Sequence, residues 1–117
     1  GTREEIEFGR NHTNLFLNGL VQPLQEILPL LKGRPIYVTL DIDVVDPAFA
    51  PGTGAAEPCG CTSKEIIRAV HMLGELDVVG FDLVEVSPLY DLSEKTALLA
   101  AKLVREAILS FCRPSKD

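Results

Sequence analysis

"YVTLDIDVVDPAFAPGTG", residues Tyr37 to Gly54, starts as an apolar run, meets three aspartates and ends in a Pro/Gly-rich loop. The run reaches back to Pro35, and "PIYVTLDID" is rich in β-branched and aromatic residues and apolar on both faces until Asp41. That is how a buried parallel strand reads. Carboxylates at the end of such a strand are costly unless a cation pairs with them. Asp41 and Asp43, two apart on a strand, project from the same side and repel each other unless a positive ion sits between them. Oxygen-only ligands favour a hard ion such as Mg²⁺, Ca²⁺ or Mn²⁺ over zinc. The alternative is that the aspartates cap the loop and the next turn. Asp46 precedes Pro47, which pins it in extended conformation and suits it to bonding loop amides.

Outward from this stretch the elements alternate. "LVQPLQEILPLLK", Leu20 to Lys32, places leucines and Ile27 at helical spacing. Pro23 is tolerable in the first turn, Pro29 bends or ends the helix, and Gly33 stops it. After the loop of roughly Val44 to Cys61, Thr62 and Glu65 have the spacing of a capping box, so a helix is expected through about Glu75. "DVVGFDLVEVS" reads as a second buried strand. Ser93 to Phe111 reads as a long helix with an apolar face at Leu99, Leu103, Ala107, Ile108 and Phe111. A weaker strand is expected at Asn14 to Leu17, and Arg113 to Asp117 reads as a frayed tail. Strand, helix, strand, helix is the α/β pattern, with a right-handed crossover setting the strands parallel. In such sheets chemistry gathers beyond the carboxyl ends of the strands, where Asp41, Asp43 and Glu85 fall.

The rest of the composition narrows the function. The 117 residues make one domain or part of one, and 17 acidic against 11 basic residues give a net charge of −6. That balance argues against nucleic acid as a partner. Apolar stretches break well short of the about 18 residues that a membrane span needs. Cys59, Cys61 and Cys112 are an odd set, and Cys-Gly-Cys is a poor disulfide geometry, so a reducing, cytoplasmic setting is expected. No second Cys pair or zinc-finger His accompanies them, which disfavours zinc. Gly52 and Gly54 allow a tight backbone path near a ligand, but no P-loop lysine follows. His12 and His71 read as solvated.

Glu85, within "DLVEVSP", sits where an unpaired carboxylate is hard to bury, and it suits a cationic group such as a guanidinium bound through paired hydrogen bonds. The alternative is a core Glu paired with a lysine or arginine of this chain. Asp82 falls on the opposite side of an ideal strand and reads as structural.

Taken together, "LDIDVVDPAFAPGTG", then "EP", a capped helix, "LDVVGFDLVEVSP" and a helix containing Thr96 resemble the C-terminal half of the ureohydrolase family. Its members are arginases, agmatinases, guanidino-acid ureases and formimidoylglutamase, and the wording is most similar to that of the agmatinases. The resemblance runs from about Glu4 to Ile108. It implies a three-layer, parallel-sheet arginase-like fold present only as its C-terminal half across residues 1–117. It implies a dimanganese centre for which Asp41 and Asp43 match the last two metal ligands, Asp41 in the bridging position, while Glu85 matches the substrate-guanidinium carboxylate. The implied reaction is attack of a metal-bridging hydroxide on the guanidinium carbon, giving urea and an amine (putrescine, if the substrate is agmatine), a step of polyamine biosynthesis.

Two parts of the family pattern differ here. Ala55-Ala56 and Cys59-Gly60-Cys61 replace the family's Thr-Pro and Gly-Gly in the loop near the substrate mouth. The family's upstream His and Asp-Ala-His-x-Asp ligands are absent. The expectation is therefore a fragment, inactive or weakly active alone, binding at most one Mn²⁺ weakly, and self-associating through an open sheet edge and exposed apolar faces. Two alternatives stand beside it. "LDIDVV" also fits a haloacid-dehalogenase-like phosphatase with Asp41 as nucleophile and Asp43 as acid/base, and a half-domain could serve only in assembly.

Overall fold

The computed structural model describes residues 1–112; the tail expected at 113–117 lies outside the described residues. Two strands, β1 (Pro35–Asp41) and β2 (Asp77–Val84), pair in parallel, from Pro35 opposite Asp77 to Asp41 opposite Val84, with an irregularity between Ile36 and Tyr37. Parallel pairing demands a crossover, and the long loop and helix α3 (Ser63–Leu73) supply it. Helix α1 (Arg3–His12) and helix α2 (Val21–Leu31) precede the sheet, and α4 (Lys95–Phe111) follows it.

The core lies on one face of the sheet. Leu40, Ile42, Val45 and Ala50 meet Ile66 and Val70 of α3 and Leu103 and Ala107 of α4. The buried stripe of α4 runs Thr96, Ala100, Leu103, Ala107, Ser110, the spacing of one helical face. Ile108, expected on that face, is exposed, and Thr96 and Ser110 take apolar positions that a hydrophobic pattern does not reveal. Helix α3 starts on the expected capping box: the Thr62 hydroxyl accepts from the Glu65 amide at 3.1 Å, and the Glu65 carboxylate accepts from the Thr62 amide at 2.8 Å.

Three expectations are corrected. β1 and β2 are not buried on both faces: Tyr37 is 63% exposed on the side away from the helices, where its hydroxyl and that of Thr39 donate to Asp82. These bonds hold the Asp82 carboxyl below the ordinary carboxylate range, in line with its structural reading. Asn14 to Leu17 forms no strand, because no neighbouring strand offers it a ladder among the described residues. Helix α2 continues two residues past Pro29, whose missing N–H removes a single bond within a last turn that Gly33, at φ +78°, then ends. Beyond these expectations, the N-terminal segment is helical, starting on a second capping box made by Thr2 and Glu5.

Candidate metal and substrate site

The carboxyl end of β1 builds the first part of the site. Asp41 is the last strand residue, and its Oδ1 accepts from the Asp43 amide at 2.8 Å, capping a short 3-10 turn over Ile42–Val44. The expectation that Asp41 and Asp43 both lie on one strand and so project from the same side is therefore corrected: the chain leaves the strand after Asp41, and Asp43 rides on the turn. The turn arises because Ile42 is fully buried in the core and pulls the backbone down at that point.

Asp43 nevertheless feels the charge of both other carboxylates. Its carboxyl is pushed above the ordinary carboxylate range, first by burial and then by the charges of Asp41 and Glu85. The three residues singled out from the sequence thus share one electrostatic neighbourhood. Among the described residues the ion pairs all converge on Glu106, and none reaches Asp41, Asp43 or Glu85.

Glu85 follows directly after β2 and is exposed, so the alternative of a core Glu paired with a lysine or arginine of this chain does not hold. Its backbone sits at φ +69°, the left-handed region, which a non-glycine residue occupies at a cost. No sequence signal marks that strain. It arises as the chain turns from β2 toward the 3-10 turn at Pro88–Tyr90.

The Pro/Gly loop ties the two strand ends together. Thr53, 5% exposed, donates its hydroxyl to Asp43 and bridges Val86 in antiparallel fashion. The Gly52 carbonyl accepts from the Ser87 amide at 2.8 Å. Asp46 fulfils its expected loop role, accepting from Ala48 at 2.8 Å and from Cys59 at 2.9 Å. Gly60 runs so close to the turn that a Cβ there would meet the Asp46 amide nitrogen at 2.5 Å. That close approach is what the glycine between the two cysteines provides. The three thiols are free, and burial with the Glu65 charge pushes Cys61 up to about 11. His12 stacks on Phe8 and His71 pairs with Glu106 at 2.7 Å, both exposed.

The donor set fits a hard divalent cation in part. Asp41 and Asp43 offer carboxylate oxygens only, and their mutual repulsion is the condition that a cation relieves. Among the described residues no three His, Cys, Asp or Glu side chains converge closely enough to hold an ion. The aspartates are thus an incomplete ligand pair.

A parallel sheet with carboxylates beyond its carboxyl edge places the chain among α/β domains, with its candidate site at the strand ends. Residues 10–110 match the sequence model of the Arginase family, and the chain belongs to that family. It is 49% identical over 116 residues to an agmatinase from Bacillus subtilis, covering 97% of this chain and 40% of that protein. The proclavaminate amidino hydrolase structure from Streptomyces clavuligerus matches at TM-score 0.74 and 44% identity over 80% of this chain and 31% of its own. The arginase structure from Bacillus caldovelox matches at TM-score 0.77 and 29% identity over 97% of this chain and 40% of its own. The fold is arginase-like and partial: the chain spans about 40% of the length of the agmatinase.

Proposed function

We propose that the chain supplies the carboxyl-terminal part of a manganese-dependent ureohydrolase site that hydrolyses a guanidino C–N bond to urea and an amine, with agmatine as the substrate. One observation carries the reading: in an arginase-family chain, Asp41, Asp43 and Glu85 fall at the ends of two adjacent parallel strands, where the charges of Asp41 and Glu85 both act on the Asp43 carboxyl and no ion pair reaches any of the three among the described residues. The agmatinase relative supports the choice of substrate.

Asp41 and Asp43 would hold Mn²⁺ through carboxylate oxygens, as part of a two-ion centre. Manganese supplies the Lewis acidity that makes water a nucleophile near neutral pH. Glu85 accepts paired N–H bonds from the substrate guanidinium and fixes its plane against the metal side. The exposure of Glu85 suits this role, since its charge is solvated until a cationic substrate arrives. The net charge of −6 suits small cationic substrates over nucleic acid, and the free thiols suit a reducing, cytoplasmic setting. Both sheet edges are open among the described residues, which favours self-association or homo-oligomers.

Urea release by the purified chain with Mn²⁺ tests the reading, with agmatine, arginine and shorter guanidino acids offered side by side. Feeble release or none is expected from the chain alone, and any release should favour agmatine and vanish in Asp43→Ala. Brisk release that survives Asp43→Ala would refute the assignment.

A further inference from the structure

Thr96 lies on α4, far along the sequence from the aspartates, and is completely buried. Its hydroxyl is not idle: Oγ1 accepts from the Gly52 amide at 2.7 Å. Asp91 stands on the other side of Gly52, 5% exposed, with Oδ1 accepting from the Thr96 amide at 3.0 Å and Oδ2 from the Ala97 amide at 2.8 Å. A Cβ on residue 52 would lie 2.7 Å from Asp91 Cγ, so the loop backbone is pressed against the helix start with no side chain between them. One residue on, Thr53 donates its hydroxyl to Asp43. Lys95 adds a second tie from the same helix turn, donating to the Ala48 carbonyl at 3.0 Å.

We propose that Thr96 and Asp91 are positioning residues for Asp43, clamping Gly52 so that the neighbouring Thr53 hydroxyl stays on the Asp43 carboxylate. The inference rests on the metal reading above for its consequence, but its geometry belongs to this chain alone. A loop with three prolines and three glycines between Val44 and Cys61 has few side chains with which to fix itself. The clamp replaces that missing packing with a hydrogen bond from a rigid helix. Outer partners of metal-binding carboxylates act in this way, and their loss typically lowers metal affinity tenfold or more.

The test uses the full chain and the variants Thr96→Val and Thr96→Ser. Val keeps the buried shape but leaves the Gly52 amide without its acceptor; Ser keeps the acceptor. NMR couplings between Hα and Hβ report the Asp43 rotamer, and electron paramagnetic resonance of free Mn²⁺ reports affinity. The expected result is a single Asp43 rotamer in the wild type and in Thr96→Ser, rotamer averaging in Thr96→Val, and about tenfold weaker Mn²⁺ binding in the Val variant. An unchanged Asp43 rotamer in Thr96→Val overturns the proposal, as does a Ser variant as perturbed as Val, which would assign the effect to packing. Should Thr96→Val lose its dispersed amide spectrum, Thr53→Val against Thr53→Ser tests the last link by the same criteria. A wild type that keeps one hydroxyl-dependent rotamer but takes up no Mn²⁺ at millimolar concentration would support the clamp and refute the metal reading instead.

Discussion

Replacing Gly52 by alanine is the sharpest single perturbation the structure offers. The backbone at residue 52 does not lie in the left-handed region, so the expected damage comes from space alone. The added methyl would lie 2.7 Å from Asp91 Cγ, 2.9 Å from Oδ1 and closer still to Cβ. Asp91 cannot swing away freely, because it is buried and caps the start of α4 through the amides of Thr96 and Ala97. Burial alone would raise its carboxyl, yet those amides and the Thr96 hydroxyl hold it below the ordinary range. Overpacking of this kind costs about 1–3 kcal/mol and losing the cap about 1 more, so Gly52→Ala should destabilise by about 2–4 kcal/mol. For a chain this size that lowers the melting temperature by roughly 8–16 °C. Urea denaturation followed by circular dichroism reads the value directly. A shift below about 0.5 kcal/mol, the scale of an ordinary surface substitution, would show that the loop and helix are not clamped and would remove the basis of the positioning argument.

Three further outcomes are expected. Thr62→Ala deletes one half of the α3 capping box and should cost about 1 kcal/mol in the same denaturation assay; no loss would mean that the box is ornamental. Glu106 is held down to about 2, chiefly by Lys102 and then by His71. Its folded pKa is depressed, so its contribution is present above the ordinary carboxylate value and is lost as pH falls toward about 2. Glu106→Gln should therefore flatten the acid limb of a stability–pH curve, and an unchanged limb would contradict that linkage. Glu85→Gly relieves the left-handed backbone at φ +69° whereas Glu85→Ala does not, so Gly should be more stable by about 0.5–1 kcal/mol while both lose agmatine binding by calorimetry. Equal stabilities would mean that the backbone there carries no strain.

Much of the fold was legible because its signals are local. Thr62 and Glu65 announced α3, the β-branched runs announced β1 and β2, and alternation of strand and helix announced parallel pairing. The candidate residues were legible for the same reason: a carboxylate at the end of an apolar strand conflicts with its setting. What stayed hidden depends on contacts distant in sequence. Asp43 leaves the strand because Ile42 is drawn into a core made by α3 and α4, which no two-residue periodicity encodes. Thr96 reads as an ordinary helix residue until Gly52, 44 positions earlier, is seen to donate to it. The strain at Glu85 leaves no mark in composition, and the open face of the sheet contradicts the burial that its apolar residues suggested.

The local conflicts in this molecule are not spread evenly, and their placement carries meaning. Among the described residues no buried side-chain nitrogen or oxygen lacks a hydrogen-bond partner, and two helices start on complete capping boxes. Against that background the charges of Asp41 and Glu85 both act on the Asp43 carboxyl at two adjacent strand ends, and Glu85, like Cys59 and Glu94, holds a left-handed backbone. A sequence whose elements agree everywhere else would lose little stability by replacing these three carboxylates. On the proposed reading, positive charge would offset that arrangement: a divalent ion on the Asp41 and Asp43 side, a guanidinium on the Glu85 side. A ligand that binds the folded chain in preference to the unfolded one would add to its stability. The clamp from Thr96 through Gly52 and Thr53 then has a physical purpose, since mutually repelling side chains drift apart unless a rigid element holds one of them in place.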